Sequence, residues 1–217
     1  MVSDHKVRRR RYEDEIKASA DAWRNKICGN IAKDNFNITQ CIKVLTQNSW
    51  IRSYDTRQYH ELRVRFYNQG RCQPFAYVEH NPTILYCDHE VWSEACIGEP
   101  KARFILAHEL GHVLLHDHYA QPFTENLKRS AWMKEESGEW QANTFADYFL
   151  VSDVAIERYL TPTAIAIYCG VEKIVALRRL GPGFGYVGES CERCGNFTLV
   201  RNGRSLICDT CGQTTSC

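Results

Sequence analysis

FILAHELGHVLLH, residues 104–116, is the stretch on which the fold and chemistry of this 217-residue chain turn. His108 and His112 stand four positions apart, so on a helix both imidazoles leave the same face one turn apart and can close on one metal ion. Glu109 lies between them. In the HExxH arrangement the histidines bind zinc as neutral imidazoles and the glutamate beside the first acts as general base toward water. The flanks agree: Pro100 suits the first turn of a helix, and strong helix formers follow from Lys101 to Gly111 with apolar residues on both sides of the histidines. This pattern predicts a buried helix that carries polar groups.

A second helix is expected from about Gly138 to Leu150, carrying EWQANTFADYFL. Glu139 and Asn143 share one face, while Ala142, Phe145, Ala146 and Phe149 form an apolar packing stripe. A carboxylate on a second helix completes a site of two histidines and one glutamate, with the fourth position left for water, so Glu139 is the expected third ligand. Asn143 either orients Glu139 or packs locally. Glu135 and Glu136 compete for the ligand role but precede Gly138, and all three also read as helix-entry carboxylates favoured by the dipole. His116 and His118 read as loop residues or outer partners of the site, in a polar stretch expected to loop over its mouth.

Composition bounds the rest. Hydrophobic residues make up 44% and charged residues 24%, which is globular, and the length allows one main core with a small appended module. A net charge of +1 exerts no global pull toward nucleic acid or an anionic membrane. The N-terminal MVSDHKVRRRRYEDE has no apolar run behind its basic residues, and no stretch is long and apolar enough to span a bilayer, so a cytoplasmic protein with no membrane partner is expected. Eleven cysteines in a reducing compartment point to metal ligation and buried thiols.

Tyr12 to Cys28 has Ile16, Ala20, Trp23 and Ile27 at helical spacing, and Asn37 or Thr39 can cap a second helix through Ile42 and Leu45. Leu62, Val64 and Phe66 alternate with Arg63, Arg65 and Tyr67 as in a half-buried strand. Phe75–Val78 and Thr83–Cys87 follow, and together the three runs suggest a small antiparallel sheet directly before the HELGH helix. Arg8 to Arg11 can touch a phosphate backbone, though Glu13, Asp14 and Glu15 favour a solvated helix start.

HELGHVLLH followed by EWQANTFADYFL resembles the ImmA/IrrE family of zinc metallopeptidases, which carry HELGH and then an E-x-x-A-N-x-F-A helix. The likeness spans roughly residues 12 to 180. The family's Leu-Leu-Met-Pro run after the second motif is replaced here by Phe149, Leu150, Val151 and Ser152, a departure at positions that hold no ligand. The resemblance implies an α+β, zincin-like domain over residues 1–180. It also implies zinc-dependent cleavage of a partner protein, commonly a helix-turn-helix transcriptional repressor, in a DNA-damage, mobile-element or phage-defence response.

Thr161 to Leu180 reads as two short helices broken at Gly170. It resembles a DNA-binding helix-turn-helix, but the same pattern serves as a packing element in the family, and with only Lys173, Arg178 and Arg179 to face phosphates the packing role is favoured. Gly181 to Gly188 is a glycine-rich linker. Residues 189–217 then hold Cys191, Cys194, Cys208 and Cys211 as two C-x-x-C knuckles on strand-like runs, the pattern of a zinc ribbon whose closed four-thiolate site is structural. The expected cofactors are therefore one catalytic and one structural zinc ion. Arg193, Phe197, Arg201 and Arg204 leave open a contact with single-stranded DNA or a docking role for the ribbon. Cys72, beside Arg71, is similar in its local setting to the cysteine switch of matrix metalloproteinase propeptides and is a candidate inhibitory zinc ligand, as well as an ordinary thiol. A competing class is a DNA-binding regulator in which the peptidase site is vestigial or secondary.

Overall fold

The structure is a computed structural model that describes residues 6–7, 9–28, 34–48, 51–52, 59–68, 75–80, 82–116, 133–181, 190–195, 199–202 and 205–216. Cys72, His118, Phe197, Arg204 and residues 182–189 lie outside the described residues. The chain divides into two compact units, one of residues 1–32 and 36–149, the other of residues 33–35 and 150–217.

In the first unit, α1 (Glu13–Cys28) opens with three acidic residues that suit its N-terminal dipole and buries Ile16, Ala20 and Ile27. Arg24 lies on the same buried face, 4% exposed, and donates to the Phe149 carbonyl at 3.2 Å. A buried guanidinium is tolerable there because it meets a carbonyl in the last turn of a helix and the face of Phe36, 5.1 Å away. α2 (Ile38–Gln47) is capped by Asn37, whose side-chain oxygen accepts from the amides of Thr39 and Gln40 at 3.0 and 3.2 Å.

The strands are β1 (Ile51–Arg52) and β2 (Tyr59–His60), a short antiparallel pair, then β3 (Arg63–Tyr67), β4 (Ala76–Glu79) and β5 (Ile84–Asp88) in the order β3-β5-β4. This three-stranded sheet is mixed, which corrects the antiparallel expectation: β4 and β5 are antiparallel, but β3 runs parallel to β5, pairing Arg63 with Ile84 and Tyr67 with Asp88. The chain reverses between β3 and β4 yet leaves a strand's width that β5 fills. Alternation reports which face is buried and is silent on the neighbour. Nor does the sheet lead straight into the HELGH helix. α3 (His89–Cys96) intervenes, started by Asp88 accepting from the Glu90 amide at 2.8 Å.

α4 (Pro100–Leu115) holds HELGH. Glu99 accepts from the Ala102 amide at 2.7 Å and Pro100 supplies the first turn without an orphan N–H. A 3-10 turn (Lys134–Glu136) leads into α5 (Gly138–Leu150), whose Ala142, Phe145, Ala146 and Phe149 are fully buried. No helix among the described residues is long and apolar enough to cross a membrane.

The second unit holds α6 (Asp153–Tyr159), α7 (Pro162–Cys169) and α8 (Lys173–Leu180), with the strands β6 (Leu199–Asn202), β7 (Ser205–Cys208) and β8 (Thr214–Ser216) in an antiparallel sheet of that order. Gly170 ends α7 at φ 61°, a left-handed conformation that glycine adopts without strain. The first turn of α7 is closed from two directions. Pro162 has no N–H, Ala164 N donates to Thr161 Oγ1 at 3.2 Å, and Thr163 N donates to Asp209 Oδ1 at 2.7 Å. Asp209, which follows the second knuckle's Cys208, also pairs with Lys173 at the start of α8. Arg179 is equally engaged, donating to Asp153 at 2.7 Å and to the Val151 carbonyl at 3.0 Å. Two of the three cations of the helix-turn-helix-like element are thus held within the unit, as suits a packing element better than a phosphate-binding one.

Candidate metal centre and active site

α4 and α5 meet at an unusually close point, and glycine makes it possible. A Cβ built on Gly111 would stand 2.9 Å from Ala142 Cα and 3.0 Å from its carbonyl oxygen, backbone atoms that no rotamer change can move. The glycine of HELGH and the first alanine of the second motif therefore form one contact, and it sets how near the first turn of α5 comes to the histidines. Gly111→Ala adds helix propensity of about 1 kcal/mol but overpacks this crossing, typically at a cost of about 1–3 kcal/mol. The expected outcome is a lower Tm together with weaker zinc binding as α5 is pushed away; a variant with unchanged zinc affinity would show that the crossing does not set the site.

Across this crossing, His108 Nε2 and His112 Nε2 lie 3.0 Å apart. Glu139 places Oε2 3.3 Å from His108 Nε2 and Oε1 3.4 Å from His112 Nε2. Tetrahedral zinc with bonds of about 2.0–2.1 Å holds its donors about 3.3 Å apart, so the three residues match in type and spacing what the ion takes. The outer nitrogens are occupied. His108 Nδ1 meets Asn143 Oδ1 at 3.0 Å, and His112 Nδ1 meets His116 Nδ1 at 3.0 Å. An amide oxygen only accepts, so His108 carries its proton on Nδ1 and turns the Nε2 lone pair to the centre. Asn143 thus steadies His108 rather than Glu139, because its side chain reaches across to α4.

The electrostatics favour a cation at this point. Burial raises the Glu139 carboxyl, but in the metal-free site hydrogen bonds from the protonated imidazoles of His108 and His112 outweigh burial and hold it well below the usual range. Burial lowers His108, yet its bond to Glu139 and the nearby carboxylates leave it raised. Glu109 is buried differently: desolvation lifts its carboxyl to about 7, moderated by His108 and reinforced by Glu139. Cys87, fully buried beside Asp88, is pushed up to about 12 by burial and is an inert thiol. Cys96 is exposed, with Sγ 3.4 Å from Thr39 Oγ1.

The rival carboxylates are engaged elsewhere. Glu136 pairs with Lys6 at 3.1 Å and Glu135 with Arg10 at 3.9 Å. They belong to an N-terminal strap: Val7 N donates to the Glu136 carbonyl and Arg11 N to that of Glu135. Gln141, fully buried, donates to the carbonyls of Arg9 and Glu135 at 3.0 and 2.8 Å. The basic run therefore braces the entry to the Glu139 helix. Its charge complementarity with Glu135 and Glu136 was the only trace of this in the sequence.

In the second unit, Cys191 and Cys211 sulfurs lie 3.7 Å apart and those of Cys194 and Cys208 3.6 Å, with all four within 4.8 Å of one another. Zn–S bonds of about 2.3 Å give tetrahedral sulfur separations of about 3.8 Å, so this cluster also fits zinc.

Residues 95–180 match the family described as IrrE N-terminal-like domain, a metallopeptidase-type domain. Over 33 residues, 15% of this chain and 3% of the relative, the chain is 70% identical to the Vitamin B12-dependent ribonucleotide reductase of Bradyrhizobium diazoefficiens. Over the same length and shares it is 58% identical to that of Agrobacterium fabrum. The chain spans about 3% of the length of these curated relatives, so the likeness is one of a short segment.

Proposed function

With an IrrE N-terminal-like peptidase domain at residues 95–180 as premise, we propose that this chain is a cytoplasmic zinc-dependent endopeptidase. We propose as its substrate a partner helix-turn-helix transcriptional repressor, cut in a DNA-damage, mobile-element or phage-defence response. The observation that carries the activity is the convergence of His108, His112 and Glu139 beside a buried Glu109. Zinc held by those three residues would act as a Lewis acid on the scissile carbonyl and bring the pKa of a water near 7. Glu109 takes the proton of the attacking water and returns it to the leaving amine, a role suited to a buried carboxylate beside the ligand histidines. Asn143 keeps the His108 ring oriented. The substrate rests on family resemblance. The regulator reading is weakened by Lys173 and Arg179 being held by Asp209 and Asp153.

The test is an incubation of the zinc-replete protein with the helix-turn-helix protein encoded beside it, with and without single-stranded DNA. Cleavage by wild type that is lost in Glu109→Gln is expected. DNA binding without cleavage under any condition would replace the peptidase reading with the regulator.

A further inference from the structure

His116 is the C-cap of α4, one turn beyond His112, and its backbone N–H donates to the His112 carbonyl at 3.1 Å. This local geometry sets the two rings edge to face, with centroids 5.0 Å apart and their Nδ1 atoms at 3.0 Å. Two nitrogens at that separation share one proton, and which ring owns it decides the chemistry of the other face. If His112 owns it, the His112 Nε2 lone pair points toward His108 and Glu139, as a metal ligand requires. If His116 owns it, neutral His112 must carry its proton on Nε2, where it blocks coordination.

We propose that His116 is a positioning residue whose Nδ1 accepts a hydrogen bond from the His112 Nδ1–H and thereby holds the second histidine in its ligating tautomer. The inference rests on the peptidase reading above and adds to it the means by which one ligand is kept ready. It also explains an asymmetry between the two ligands. His108 is held by the Asn143 oxygen, which can only accept, whereas His112 is held by a group that can accept or donate, so its readiness depends on the tautomer of a neighbour. Histidine ligands ordinarily lean on a carboxylate, carbonyl or water, and loss of such support typically weakens metal affinity about 10- to 100-fold.

The test is competition of zinc against a chromophoric chelator on the full chain, after the ribbon cysteines are saturated. Wild type is compared with His116→Ala, His116→Asn and His116→Phe, and long-range nitrogen NMR of the metal-free proteins reads the His112 tautomer. His116→Ala and His116→Phe should bind zinc at the second site about 10- to 100-fold more weakly and show His112 shifting toward the Nε2–H form. His116→Asn, whose Oδ1 replaces Nδ1 as acceptor, should recover most of both signals. Equal weakening by Asn and Phe would mean that His116 merely packs, and would overturn the inference. So would unchanged affinity and tautomer in His116→Ala, with the peptidase reading left standing. Wild type that takes up no zinc beyond the ribbon equivalent would overturn the peptidase reading and this inference together.

Discussion

Glu109→Gln is expected to lower peptide cleavage by about 10²- to 10⁴-fold, the usual contribution of a general base, while zinc content stays at the wild-type level. The side chain is nearly isosteric and Glu109 is not among the three converging donors. The glutamine fills the same volume but cannot take a proton from water. A variant that lost zinc as well as activity would put Glu109 among the ligands, and one that kept full activity would remove it from the reaction.

The same substitution has a stability signature opposite in sign to its effect on rate. Burial raises the Glu109 carboxyl from 4.5 to about 7, so ionisation costs the folded, metal-free state stability. The cost is absent below the unfolded-state value, grows between about pH 4.5 and 7, and is fully present above that window. A shift of this size corresponds to about 3 kcal/mol at most. Metal-free Glu109→Gln should therefore unfold at higher urea than metal-free wild type at pH 8, with the gap closing toward pH 4. The ribbon is in the same state in both proteins, so the difference isolates Glu109. A gap independent of pH would mean that glutamine changes packing instead of removing a buried charge, and the poised carboxyl would have to be abandoned.

The parts of the site carried by i, i+4 spacing were visible without coordinates, because helical geometry is local: His108 and His112 share a face, α5 runs from Gly138 to Leu150, and Glu139 sits in its first turn. What spacing cannot carry is partner and orientation. Gly111 and Ala142 stood in view as motif letters, yet their contact depends on how two helices cross. His116 was visible as a loop residue or outer partner of the site, but which ring nitrogen faces which is set by side-chain torsions that packing selects. The pairing of β3 with β5 and the starts of α3 and α6 were missed for related reasons. Alternation is indifferent to the neighbouring strand, and Asp88 and Ser152 are short polar residues that read equally well as turns and as caps.

Loss of metal from the ribbon is expected to have the largest effect on folding, and it should not stop at the ribbon. Among the ribbon's described residues few apolar side chains are buried: Leu199, Val200, Leu206 and Ile207 supply most of that core beside the cysteines. Structural zinc in small finger modules contributes about 10–16 kcal/mol of apparent binding free energy, far more than such a core can offer. Cys194→Ser with Cys208→Ser should therefore unfold β6–β8. Asp209 lies between the knuckle cysteines Cys208 and Cys211, so once its turn dissolves Thr163 N loses an acceptor and Lys173 loses its carboxylate. A lost cap costs about 1 kcal/mol, and α7 and α8 are only eight residues each, so hydrogen-exchange protection should fall across residues 162–180 as well as in the ribbon. Asp209→Asn should reproduce a smaller part of that loss with the four thiols intact. Unchanged protection of α7 and α8 in the cysteine variant would show instead that the ribbon is an independent bead and that Asp209 ties nothing down.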